Sequence, residues 1–164
     1  MKDEEFVFVK PDEIEKESFR IIGEELEEQG IELKKKQEPY IKRCIHTSAD
    51  FSYALTLTFS KKAIKTLEGL LKEGALVICD TNMALAGINK TALKRLGCEA
   101  HCFMADERIR EMAHKEGITR AAASMQAASK LDGRKIFVIG NAPTALIELD
   151  RLHRDEGFDP DFII

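Results

Sequence analysis

Arg43 and His46 stand three residues apart in the string YIKRCIHTSAD, Tyr40 to Asp50. On a helix that spacing puts both on one face. A histidine titrates near neutrality and can give and take a proton, and a guanidinium beside it suits an anionic substrate that needs acid–base help. Asp50, four residues beyond His46, is placed to orient the imidazole, and Thr47 and Ser48 add hydroxyls. The plainer account of the same residues is a surface helix end, with His46 as a C-terminal cation favoured by the helix dipole. On spacing alone the plainer account is the commoner one.

Three further strings join chemistry-bearing residues to turns. In VIGNAPTALIEL, Val138 to Leu149, an apolar run meets Gly140 and then a helix with Pro143 at its start. Asn141 and Thr144 can cap that helix or face the crevice beside it, and its first amides make a ready site for a carboxylate or phosphate. An ordinary strand-to-helix turn accounts for the string equally well. In ICDTNMALAGINK, Ile78 to Lys90, Asp80 and Thr81 follow an apolar run and precede a helix. Asp80 caps that helix by default, or holds a catalytic partner or a substrate nitrogen at the strand edge. In GITRAAAS, Gly117 to Ser124, Arg120 lies in the first turn of an Ala-rich helix, where a cation is mildly unfavourable and a bound anion would compensate. A solvated arginine is the simpler account.

The cluster CEAHC, Cys98 to Cys102, suggests zinc, but it supplies at most three ligands, with no second pair at ligand spacing. In a strand, His101 and Cys102 face opposite sides. No metal site is expected. His114 and His153 fall on charged helices and read as surface residues. Neither G-x-S-x-G nor H-E-x-x-H occurs, and the Gly turn at 140 is neither G-x-G-x-x-G nor a P-loop.

The elements that must position these residues follow from periodicity. Asp12 to Gln29 carries Ile14, Phe19, Ile22 and Leu26 near helical spacing and stops at Gly30. A second helix is predicted from Pro39 to about Thr47, and the alternation from Ser52 to Thr58 predicts a strand. Ser60 reads as the N-cap of a helix through Lys72 that ends at Gly74. Ala75 to Asp80, Glu99 to Met104, Lys135 to Ile139 and Asp161 to Ile164 read as strands. Between them lie helices over Thr81 to Leu96 with a break near Gly87, Asp106 to Glu116, Thr119 to Leu131, and Pro143 to Glu156. Strand and helix alternate, which predicts a three-layer α/β/α domain with a mainly parallel sheet. Right-handed crossovers then bring the post-strand loops to one edge, where ligands of such folds sit.

The 164 residues suggest one domain, 44% hydrophobic and 33% charged, with a formal net charge of −4. That charge excludes a chain-wide nucleic-acid footprint, so anions must be met by local cations and amides. The acidic start MKDEEFVFVK is not a signal peptide, and no run approaches the ~20 apolar residues of a membrane helix. The cysteines Cys44, Cys79, Cys98 and Cys102 form no C-x-x-C pair and read as reduced thiols of a cytoplasmic protein.

Several strings together carry a resemblance. KRCIHTSAD resembles the region around the catalytic histidine of the precorrin-8X and cobalt-precorrin-8 methylmutases. CDTNMALAGI, TRAAAS and IGNAPTAL resemble three more motifs of that family, in the same order, and IEKESFRII resembles its N-terminal helix. The resemblance implies a flavodoxin-like α/β/α fold and a homodimer with active sites near the subunit interface. It implies a corrinoid substrate, migration of a methyl group from C-11 to C-12 to give hydrogenobyrinate or cobyrinate, and no organic cofactor. By position, His46 is the expected catalytic histidine, and Ser18 and Arg43 are expected to bind substrate. Arg120, Asn141, Thr144 and Asp80 are added as expected substrate contacts. A ring bearing many acetate and propionate groups needs several anion pockets, for which Arg43, Arg120 and the helix start at Asn141 are the candidates. The alternative is a corrinoid carrier that binds without rearranging. A flavin-binding module of the same fold lacks support, since no Ser/Thr-rich phosphate loop follows the first strand. The family continues beyond DFII, so a single domain over 1–164 that lacks a C-terminal part is expected.

Overall fold

The computed structural model describes residues 11–164, which form two compact units divided between Ile64 and Lys65. In the first unit, α1 (Pro11–Glu28) and α2 (Glu38–Ser48) pack together, followed by the short α3 (Tyr53–Thr56). Ile22 and Leu26 from α1 meet Ile41 and Ile45 from α2 in a buried cluster, one helical face from each. Pro39 stands at the start of α2, where its missing N–H costs nothing. Ala49 ends that helix in the left-handed region at φ 56°, its N–H returning to the Ile45 carbonyl.

The strand predicted over Ser52 to Thr58 is a helical turn instead. Its backbone bonds run back three and four residues, from Ala54 to Phe51 and from Leu57 to Tyr53. Tyr53, Ala54 and Leu57 pack against the buried cluster while Leu55 is 74% exposed. Those positions follow the helical period, not the alternation of a strand. Among the described residues the first unit has no strand for this segment to pair with, so local bonds satisfy its backbone.

The second unit is the predicted three-layer arrangement. Its strands are β1 (Leu76–Cys79), β2 (Ala100–His101), β3 (Lys135–Val138) and β4 (Phe162–Ile163), all parallel, in the order β2-β1-β3-β4. The helices are α4 (Ala63–Lys72, whose first two residues precede the division), α5 (Asn82–Gly87), α6 (Lys90–Arg95), α7 (Glu107–Glu116), α8 (Arg120–Ser129) and α9 (Pro143–Glu156). Successive strand residues point to opposite faces. Val77, Cys79 and Ile136 pack with Leu70 of α4 and Leu93 of α6. Ile78 and Phe137, both with no exposed surface, pack against Ala121, Met125 and Ala128 of α8 and Ala145, Leu149 and Leu152 of α9. Full burial of such a side chain contributes roughly 1.5–3 kcal/mol. These strands are buried on both sides, which is why they read as unbroken apolar runs.

Several boundaries moved, most by a residue or two, and two of the changes have a visible cause. α4 begins at Ala63 rather than at Ser60, because Lys62 adopts φ 63° and the Ser60 carbonyl closes a turn onto the Ala63 N–H. β2 is two residues long rather than six, an edge strand held by β1 alone. Gly74, at φ 75°, makes the turn from α4 into β1, and a side chain there would meet the Gly97 carbonyl at 3.2 Å.

Candidate functional site

Two groups of the expected residues are assembled, one in each unit. In the first, residues of α1 and α2 meet across the helix pair. Arg43 and His46 do share one face of α2, and both reach α1. The Ser18 hydroxyl lies 2.7 Å from Nδ1 of His46. Arg43 donates to both carboxylate oxygens of Glu15, at 2.9 and 2.8 Å. Phe19 sits beside both partners. Its ring meets the imidazole edge-on at 5.9 Å, and the Arg43 guanidinium lies 5.4 Å from its centre, within cation–π range.

Asp50 does not orient His46. Its Oδ1 accepts from the Ser52 N–H at 2.9 Å and shapes the turn into α3, and bonds to Ser52 hold its pKa below the usual value. The chemical difference matters. A carboxylate on Nδ1 would favour the charged ring, whereas a hydroxyl donates to a neutral nitrogen or accepts from a protonated one. Ser18 therefore holds the ring in either protonation state and leaves Nε2 to face a ligand. His46 opens into a cleft of about 450 Å³ lined by Ile14, Ser18, Ile21, Ile45 and Phe51, with Glu17 and Glu25 also in its lining. Ile14 and Ile21 are 51% and 48% exposed. Mostly apolar walls around one ring nitrogen that can carry a proton suit the flat apolar face of a large ligand. Glu15 and Phe19 escaped the sequence reading. Their signal was present in the spacing of Glu15, Ser18 and Phe19, which share the α1 face that α2 covers.

The second group lies at the carboxyl ends of β1 and β3. Thr81, not Asp80, caps α5, its hydroxyl accepting from Ala84 N–H at 3.1 Å. Asp80 is fully buried and crosses to the β3–α9 turn. Its Oδ1 accepts from Gly140 N–H at 2.9 Å, and its Oδ2 from Asn141 N–H at 3.0 Å and Ala142 N–H at 2.7 Å. Burial pushes this carboxyl's pKa up, but the amides of Gly140, Ala142 and Asn141 outweigh that and hold it below the ordinary aspartate value. The amides expected to cradle a ligand anion at Asn141 are thus occupied by an internal carboxylate. The Asn141 residue is exposed and Thr144 is half-buried in the first turn of α9.

Arg120 opens α8 behind the cap Thr119, whose hydroxyl accepts from Ala122 N–H. It is exposed, and among the described residues no carboxylate pairs with it. It remains a cation at a helix N-terminus without internal compensation. In the CEAHC string, Cys98 is buried and donates its thiol to the Leu71 carbonyl at 3.2 Å, while His101 bonds Glu99 and stacks on Phe103. Among the described residues no three of His, Cys, Asp and Glu are grouped to hold a metal ion.

The comparisons with known proteins agree with one another. A family model described as precorrin-8X methylmutase matches residues 13–164. The cobalt-precorrin-8 methylmutase of Leptospira interrogans is 39% identical over 153 residues, which cover 92% of this chain and 69% of that protein. The cobalt-precorrin-8 methylmutase of Salmonella typhimurium is 40% identical over 144 residues, covering 85% and 69%. Among solved structures, the precorrin-8X methyl mutase of Thermus thermophilus superposes with a TM-score of 0.78 at 32% identity, covering 92% of this chain and 71% of that one.

Proposed function

We propose that this chain, which belongs to the precorrin-8X methylmutase family, moves a methyl group from C-11 to C-12 of precorrin-8 or its cobalt form, giving hydrogenobyrinate or cobyrinate. It is an isomerase, of a family that acts in cobalamin biosynthesis. The reaction moves a group within one molecule and exchanges no atom with solvent. The protein's tasks are to hold the ring still and to lend it one proton.

The observation that carries the reading is the contact between Ser18 and His46 inside a mostly apolar cleft. In this mechanism Nε2 of His46 gives a proton to the macrocycle, the methyl migrates, and the proton returns to the same nitrogen. Nδ1 keeps its own proton throughout and donates it to the Ser18 hydroxyl, so the imidazole stays oriented while Nε2 gives up and regains its proton. Ile14, Ile21 and Phe51 meet the ring plane. Arg43 exchanges Glu15 for a substrate carboxylate, a trade between exposed ion pairs of small net cost. Arg120, Asn141 and Thr144 contact the ring periphery.

The enzyme is a cytoplasmic homodimer of flavodoxin-like fold. The strand order β2-β1-β3-β4 supports the fold, being the first four strands of the flavodoxin-like order. Four free cysteines support a reducing compartment. Among the described residues no helix is long and apolar enough to cross a membrane.

The test is to mix purified protein with precorrin-8, metal-free and cobalt-bound, and to follow the visible spectrum of wild type and of His46→Ala. Wild type is expected to produce the product chromophore, and the variant to bind product without forming it. A spectrum that shifts on binding but never reaches product would replace the isomerase with a corrinoid carrier. Full turnover by His46→Ala would remove the histidine from the mechanism.

A further inference from the structure

The strand order reverses direction between β1 and β3, and the crevice beyond strand ends at such a reversal is where open α/β sheets hold ligands. An anion there is commonly held by consecutive backbone N–H groups at a helix start. In this protein those groups are already taken. The N–H groups of Gly140, Asn141 and Ala142 all point at the carboxylate of Asp80, between 2.7 and 3.0 Å. Asp80 comes from the end of the neighbouring strand, 60 residues earlier in the chain for the Gly140 contact, and has no exposed surface. Among the described residues no cation pairs with it, so the backbone alone meets its charge. A nest of three free amides at this place would take up any phosphate or carboxylate of fitting size.

We propose that Asp80 is a built-in anion that fills this nest, excludes the carboxylates and phosphates of ligands from the β1/β3 crevice, and fixes the turn so that Asn141 meets the substrate as an uncharged hydrogen-bonding group. Asp80 is then a positioning and specificity residue, not a substrate contact. The inference rests on the assignment of Asn141 to the substrate surface and sharpens it: the acidic side chains of the ring are met by cations elsewhere, and an uncharged part of the ring periphery lies against this turn. Asp80→Ala should leave the amides unpaired and the turn loose. A contact made equally in ground and transition states raises KM without changing kcat when lost. A merely structural defect would instead lower the folded fraction and with it apparent kcat, leaving KM unchanged.

The experiment combines kinetics with amide chemical shifts on the full chain, using formate and inorganic phosphate as probes. Asp80→Ala is expected to raise KM about tenfold with kcat within about twofold. Asn141→Ala should do the same, and the double variant should be no worse than either alone. Formate should shift the Gly140, Asn141 and Ala142 amides of Asp80→Ala saturably and restore KM. Wild-type amides should ignore both probes. Unchanged KM in Asp80→Ala, or lowered kcat at constant KM, would overturn the positioning role. Wild-type amides that titrate with formate or phosphate would overturn the exclusion, and this measurement decides even where Asp80→Ala does not fold. If wild type shows no methyl shift at all, the proposed function fails, while the amide titrations still judge the built-in anion.

Discussion

The Ser18 hydroxyl lies 2.7 Å from Nδ1 of His46 and spans the packed helices α1 and α2. One bond therefore couples the orientation of the imidazole to the packing of two helices. Ser18→Ala should keep the fold, because the hydroxyl is only part-buried, and should lower turnover about 10- to 100-fold. That is a fraction of the roughly 10²–10⁴-fold that a positioned acid–base group supplies. Ser18→Thr, which keeps the hydroxyl, should recover most of it. Turnover measured at saturating substrate for both variants checks this, and a wild-type rate in Ser18→Ala would refute the orienting role.

Glu15 holds Arg43 through a bidentate pair, and under the proposed function it competes with a substrate carboxylate for that guanidinium. Glu15→Gln should free the guanidinium and tighten product binding about two- to fivefold, a modest change because exposed pairs hold weakly. Arg43→Ala should loosen binding, and the loss should shrink at high ionic strength, where surface charge is screened. Titration of each variant with product at low and high salt separates the outcomes. Equal affinity in wild type and Arg43→Ala would place the substrate carboxylates elsewhere.

Asp80 ties stability to acid pH with a definite sign. Its folded pKa lies below its unfolded value of about 3.9. Its contribution is therefore fully present above about pH 4 and is lost as pH falls through the folded value. Asp80→Asn, which places an amide NH₂ against backbone donors, should unfold more readily than wild type at pH 7. The two proteins should converge in stability as pH drops below about 4. Denaturant unfolding across that range reads the effect, and a constant gap at every pH would argue against the linkage.

Phe137 has no exposed surface and packs edge-on against Phe158 at 5.9 Å, between the sheet and the pair α8 and α9. Phe137→Ala should cost about 3–5 kcal/mol, the range for emptying an aromatic site in a packed core. A shifted denaturant midpoint with an unchanged slope would confirm a pure stability effect. A loss under about 1 kcal/mol would mean that the surrounding helices close the cavity.

The alternation of strand and helix, the parallel sheet, and the span of α9 from Pro143 to Glu156 were legible in the sequence, because local period and turn residues report burial and helix ends directly. The pairing of Arg43 with His46 on one face was legible for the same reason. The partner of His46 was not. Asp50 stands four residues away and Ser18 twenty-eight, and only helix packing decides which reaches the ring. The segment over Ser52 to Thr58 alternates like a strand and folds as a turn, because the described residues of its unit offer it no neighbouring edge. Asp80 shows the same division most plainly. Its residue type and its place after β1 were visible in the chain, and they suggested a cap or a ligand contact. Three amides from a turn 60 residues away made it a buried strut, since a hydrogen bond is settled by what the fold brings within 3 Å and not by what is adjacent in sequence.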